Sequence, residues 1–247
     1  MIPPTSIDGT DITGATIDGT DVTEITVDGD VVFSAGADLP TAGLLHRYDA
    51  SELTGETDGQ NVDTFPDLQG SADLSRTDTV EYESNGIGGL PSLRTFDSGD
   101  GIMTGGTVLS QPFAVWYAWN PTYTGTSARQ IFADAGAFDV SILASRDEIF
   151  AGNSIFGPGS SNGPQVGGWE FDGANSQIYL GTSVRATGDA GSNGTDGGFV
   201  LFNRRIPLQA VASDALYGEI LIYDMNNSGY NATDIANYLG GKWGISV

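Results

Sequence analysis

From about residue 40 onward the chain consists of short β-rich runs set apart by Gly, Asn, Asp and Pro. These are "VEYES" (80–84), "FAVWYAWNP" (113–121), "QIFADAG" (130–136), "FDVSILAS" (138–145), "WEFDG" (169–173), "QIYLGTSVRATG" (177–188), "GFVLFNRRI" (198–206) and "YGEILIYD" (217–224). Many short strands with turn residues at this spacing point to a sandwich or jelly roll. Ile220 and Ile222 fall on one face of "EILIYD" and Leu221 and Tyr223 on the other, which suits a strand buried on both sides. The stretch "GNSIFGPGSSNGPQVGG" (152–168) reads as a long polar loop. One segment departs from the strand pattern. In "NATDIANYLGGKWGI" Asn231 or Thr233 caps a helix, Ile235, Tyr238 and Leu239 share a face, and Gly240-Gly241 ends it. Trp243, just beyond, reads as a plug fixing that helix against the sandwich.

The first 38 residues are different in kind. "SIDGTDITGATIDGTDVTEITVDGDVVFSA" (6–35) repeats at a period of ten, with Asp8-Gly9, Asp18-Gly19 and Asp28-Gly29 between β-branched residues. Asp-Gly is a strong signal for a two-residue hairpin turn. Three small hairpins with few large side chains are marginal alone. Residues 1–38 are therefore expected to dock on a partner or oligomerise, and 39–247 to form the main domain.

Composition narrows the chemistry. The chain carries 32 acidic and 9 basic residues, a net charge of −23, and Lys242 is its one lysine. Such self-repulsion is relieved at high salt, where the Debye length falls to about 3 Å at 1 M. A high-salt environment is expected, and nucleic acid is not an expected partner because phosphates need basic clusters. No apolar run is long enough to span a membrane, and "MIPPTSIDG" lacks the basic and apolar regions of a secretory signal. With no cysteine there is no disulfide or thiolate site. A Ser-His-Asp triad would have to rest on His46, the single histidine, and no G-x-S-x-G elbow stands near it. That reading is set aside.

The ends of the main region resemble the LamG-like, concanavalin A-like jelly-roll domains. "LLHRYDASELTGETDGQNVDTFPDLQGSADLS" (44–75) resembles their opening through Asp49-Ala50-Ser51, then Phe65-Pro66-Asp67-Leu68 and Gly70. "LRTFDSGDGIMTGG" (93–106) resembles a strand with a Phe-Asp-Gly turn, Ser98 replacing the usual Gly. "YGEILIYD", the helix and Lys242-Trp243-Gly244-Ile245 resemble the ending. The resemblance implies an all-β concanavalin A-like (LamG) sandwich with one short C-terminal helix, preceded here by the hairpin segment. It also implies structural roles for Asp49, Phe65 and Trp243. The combination with "EITVDGDVVFSA" is similar to tail and head-decoration proteins of haloarchaeal tailed viruses.

Hydrolytic members of that class carry Glu-x-Asp-x-x-Glu on one strand, which is missing here; Glu81 and Glu83 share a face but lack a third carboxylate, so no enzyme is expected. Tyr123 and Trp169 are the candidate ligand-binding rings. Asp189, Asn193 and Asp196, in "TGDAGSNGTDGG" (187–198), are candidate oxygen ligands for a divalent cation such as Ca2+; no other cofactor is expected. The expected role is a non-enzymatic virion surface protein, a capsid turret or tail fibre. It would form a trimer or pentamer, contact other virion proteins through 1–38, and bind a host glycan or glycoprotein. The rivals are a halophile's cell-surface carbohydrate-binding module and a jelly-roll glycanase.

Overall fold

The structure is a computed structural model. It describes residues 37–96, 103–121, 130–136, 139–143, 147–158, 163–202 and 215–247, and in the N-terminal segment the backbone of six short strands. Those six, β1 (Ser6–Ile7), β2 (Thr10–Asp11), β3 (Thr16–Ile17), β4 (Thr20–Asp21), β5 (Glu24–Val27) and β6 (Asp30–Ser34), pair two by two as antiparallel hairpins. Ile7 faces Thr10, Ile17 faces Thr20 and Val27 faces Asp30. In the sequence, an Asp-Gly pair stands between the two strands of each hairpin.

The main region begins with β7 (Leu44–Asp49), β8 (Thr64–Phe65), β9 (Leu74–Arg76), β10 (Glu81–Glu83), β11 (Ser92–Thr95), β12 (Met103–Thr104) and β13 (Phe113–Pro121). It continues with β14 (Gln130–Asp134), β15 (Ser141–Leu143), β16 (Glu148–Phe150), β17 (Ser154–Phe156), β18 (Gln165–Phe171), β19 (Ser176–Leu180) and β20 (Ser183–Gly188). It closes with β21 (Phe199–Leu201), β22 (Ala215–Asp224) and the helix α1 (Ala232–Trp243). These strands make two antiparallel sheets, an all-β jelly-roll sandwich with one C-terminal helix. The first sheet runs β10-β11-β22-β13-β18-β19-β20, with β7 also on β22, and the second β17-β16-β15-β14-β21-β12-β9-β8.

Alternation along the central strands sorts side chains between two cores. Val115, Tyr117, Ile220 and Ile222 point between the sheets. Trp116, Leu221 and Tyr223 point outward and pack beneath α1. The run expected to be buried on both sides is so buried, with its two faces as read. The loop expected at 152–168 is shorter than that, because β17 and the first half of β18 lie within it. The polar composition hid them: Gly167 and Gly168 have no side chain to reveal a period.

Asn231 caps α1, its side chain accepting from the amides of Thr233 and Asp234. The helix does not stop at Gly240-Gly241. It runs on through Trp243 and ends at Gly244, whose φ of 64° is the left-handed turn a glycine favours. Packing of Tyr238, Leu239 and Trp243 on the sheet outweighs the roughly 1 kcal/mol that a glycine costs inside a helix.

Candidate binding surface

The residues singled out from the sequence fall in different places. Tyr123 lies outside the described residues. Trp169 is not a surface ring: it is 1% exposed and points between the sheets opposite Val115 and Ile178. It can lie there because the indole passes over Gly167, where a Cβ would stand 2.4 Å from the ring.

In the 187–198 loop, Asp189 accepts from the Gly191 amide, and the carbonyls of Gly191 and Asn193 both accept from Gln111 Nε2. Asn193 and Asp196 are exposed. Among the described residues no group of three or more His, Asp or Glu gathers in a way that could hold a metal. Glu81 and Glu83 project from the outermost strand of the first sheet beside Arg94.

The residues tied to the two ends of the chain do meet. Phe65 is buried against Tyr48. Asp49 and Glu219 face each other across β7 and β22 on the outer side of the first sheet, both without exposed side-chain surface. Arg47 Nε donates to Glu219 Oε1 at 2.8 Å and its Nη2 to Asp49 Oδ2 at 2.7 Å. Lys242, from the last turn of α1, donates to both carboxylates, and Tyr238 and Trp243 Nε1 add hydrogen bonds to Glu219. Two anions and two cations thus bind helix to sheet. A second buried carboxylate, Glu170, is held by the hydroxyls of Tyr230 (2.8 Å) and Tyr179 (3.3 Å). Burial raises its carboxyl above the ordinary range against those two hydrogen bonds, and the charge of Asp172 adds to the rise.

The outer face of the second sheet has a different character. Register places Gln130, Leu143, Glu148 and Phe156 in one row and Ala133, Ser141, Phe150 and Ser154 in the next. The inward row between them, Phe132, Ile142, Ile149 and Ile155, belongs to the core. Phe156 is 58% exposed, a ring standing on the surface, and Ser154 Oγ donates to Glu148 Oε1 at 2.9 Å. Gln130 and Ser141 are buried, yet both amide atoms of Gln130 and the Ser141 hydroxyl lack hydrogen-bond partners among the described residues. Polar groups so placed are rare in folded proteins and call for a polar occupant or water. Gln130 stands at the far end of the Phe156 row, across Leu143 and Glu148, so what lies beside the ring is the Glu148 carboxylate and the Ser154 hydroxyl, a pairing that suits a polyol. Sequence reasoning missed this face, because β14 to β17 are short and a bulge in β14 breaks their alternation.

A third grouping surrounds the single histidine. His46 Nδ1 lies 2.7 Å from Asp67 Oδ2, and His46 Nε2 lies 2.8 Å from Thr107 Oγ1. Asp67 also accepts from the amides of Arg47, Gln69, Gly70 and Ala72. Burial opposes its ionisation, but these amides and the His46 ring outweigh it and hold the carboxyl below its ordinary value. The sequence offered no signal for Thr107, which lies 61 residues from His46.

No family model matches the chain, and no curated protein matches it either. Solved structures share its fold. One is domain 4 of an extracellular GH43 arabinanase from Geobacillus stearothermophilus in complex with arabinotriose, at 16% identity and TM-score 0.53, covering 79% of this chain and 98% of that one. Another is the receptor-binding domain of botulinum neurotoxin type G, at 16% identity and TM-score 0.54, covering 80% of this chain and 51% of that one. A third is Trypanosoma rangeli sialidase bound to 2,3-difluorosialic acid, at 12% identity and TM-score 0.54, covering 92% of this chain and 37% of that one. The chain thus spans about half of the toxin domain and just over a third of the sialidase. At these identities the likeness concerns the fold alone.

Proposed function

We propose that the chain is an attachment protein of a virus-like particle, its jelly roll displayed outward and its second sheet binding a host glycan or glycoprotein. Residues 1–38 would dock it, as a trimer or pentamer, on other particle proteins in a salt-rich medium. The observation that carries the binding role is the exposed Phe156 ring beside Glu148 and Ser154 on the outer face of the second sheet. The arabinotriose complex and the receptor-binding domain among the similar folds support that role. The docking role rests on the hairpin repeat and on its likeness to haloarchaeal viral proteins. Glycan cleavage is disfavoured: a glycosidase needs two carboxyls flanking an open groove, whereas Glu170 is capped by tyrosines and Asp49 and Glu219 are neutralised by Arg47 and Lys242.

Binding of the full chain to a glycan array, or to purified host envelope, tests the surface. Phe156→Ala should weaken binding at least tenfold and leave the melting temperature unchanged, since the ring is mostly in solvent. Undiminished binding would move the site elsewhere.

Deleting residues 1–38 should leave a soluble β-rich monomer that no longer joins an assembly, measured by light scattering. If the truncated chain still assembled, or failed to fold, the hairpins would belong to the domain's own core. A full chain that is monomeric and binds glycan would favour the cell-surface module.

A further inference from the structure

The only histidine of the chain is held in a fixed order between an ionised carboxylate and an exposed hydroxyl. Asp67, with its carboxyl held below the ordinary range, accepts a hydrogen bond from His46 Nδ1–H at 2.7 Å, the tautomer in which Nε2 is an acceptor. The Thr107 hydroxyl donates to it at 2.8 Å. The ring cannot turn away. It is 7% exposed, with Tyr48 stacked at 6.3 Å and Phe199 tilted against it at 5.6 Å.

The loop that carries Thr107 is also held on both sides. The Gly106 amide donates to the Phe199 carbonyl, and the Leu109 amide donates to Thr195 Oγ1 at 2.7 Å. Thr107 itself is exposed. Its own amide and that of Val108 donate to nothing among the described residues. They are two N–H groups next to the hydroxyl. Carboxylate, imidazole and hydroxyl in this order make a weak alcohol into a nucleophile, because the ring removes its proton as it attacks.

We propose that Thr107 is an activated nucleophile that takes the acyl group of short-chain carboxylic esters and passes it to water. Thr107 Oγ1 bonds to the ester carbonyl carbon as its proton moves to His46 Nε2. The bond from that carbon to the alcohol oxygen then breaks, and the His46 proton leaves with the alcohol. Water attacks the acyl-threonine and gives a proton to Nε2. The carbon–Oγ1 bond breaks, the acid departs and Thr107 regains its proton. No oxidant, metal or second substrate enters. Asp67 acts through the ring and is a positioning residue. Because Thr107 stands on open surface, the ester can be carried by a large molecule. Val108, next to Thr107 in the chain, is 59% exposed and offers an apolar contact for a short acyl group. This activity is independent of the attachment role.

The test uses the full chain, a biotinylated fluorophosphonate and p-nitrophenyl acetate. The wild-type protein should be labelled on the peptide that contains Thr107 and should hydrolyse the ester. Thr107→Val, an isosteric change at an exposed position, should abolish both while the protein stays folded. Thr107→Ser should react several-fold faster, since it removes a methyl group beside the attacking oxygen. His46→Gln should slow labelling by roughly a hundredfold or more. Absence of label on the wild type, or label that survives Thr107→Val, would overturn the proposal and leave the hydroxyl as a fastening for its loop. A purely structural hydroxyl would shift the melting temperature in Thr107→Val without giving the order Ser above Thr above Val in reactivity.

Discussion

Trp243→Ala should lower stability by about 3 to 5 kcal/mol, the range for truncating a large buried aromatic residue. The indole has no exposed surface and lies across β22 at Gly218, where a Cβ would stand 2.6 Å from the ring. Gly218 is also where β22 takes one more residue than β13, since Ala118 pairs Glu219 while Trp119 pairs Tyr217. The bulge turns Glu219 to the helix side and leaves a bare patch of backbone for the ring beside it. Truncation opens that space and removes the Nε1 hydrogen bond to Glu219 Oε2 at 3.2 Å. Urea unfolding of the two proteins measures the difference. Trp243→Phe should recover much of the packing loss without restoring the hydrogen bond. Ligand affinity of the folded fraction should not change, because the ring touches neither the outer face of the second sheet nor Thr107. An unchanged midpoint would mean that the helix is not held by this residue.

What could be read in advance follows from where the physics is local. "FAVWYAWNP" and "YGEILIYD" are long strands buried on both faces, so their apolar runs declare them without knowledge of any partner. The Asp-Gly hairpins are equally local, because the turn is fixed by the two residues in it. Helix α1 was legible at Asn231, where the cap is a local hydrogen bond, and misread at Gly240-Gly241, where packing on the sheet decides.

The sites were harder to read because they are made by contacts between distant residues. Trp169 sits in a Gly-rich, polar-looking stretch, and only its pairing with β13 shows that it points inward. Gln130 and Ser141 share the outer face only because of a bulge that no period reveals. Asp67 was legible as part of "FPDLQG", yet its link through His46 to Thr107 joins segments with nothing in common in sequence. The two most specific ends of the resemblance, Asp49-Ala50-Ser51 and Lys242-Trp243, have a shared physical cause. They are the two sides of one buried ionic cluster, and neither is stable there without the other.

That cluster sets the second large effect. Lys242→Met should destabilise the protein by about 3 to 5 kcal/mol, the range for removing one partner from a buried ion pair. Its stem can still pack, so the loss is one of charge. In the intact protein Arg47 and Lys242 face Asp49 and Glu219, and both carboxylate side chains have no exposed surface. Without the lysine, Arg47 alone must serve two buried anions, and one negative charge stays in a medium that solvates it poorly. Combining Lys242→Met with Asp49→Asn removes that surplus charge and should recover part of the loss, a coupling that a double-mutant cycle reads directly. Salt separates this effect from the repulsion among surface carboxylates. Surface repulsion is screened as the Debye length shrinks from about 10 Å at 0.1 M to about 3 Å at 1 M, whereas a buried charge is screened much less. Both proteins should therefore gain stability with added salt while the gap between them stays nearly constant. If the gap closed at molar salt, or if the double substitution were as damaging as the sum of its parts, the cluster would be an exposed pair of little consequence, and Trp243 alone would hold the helix.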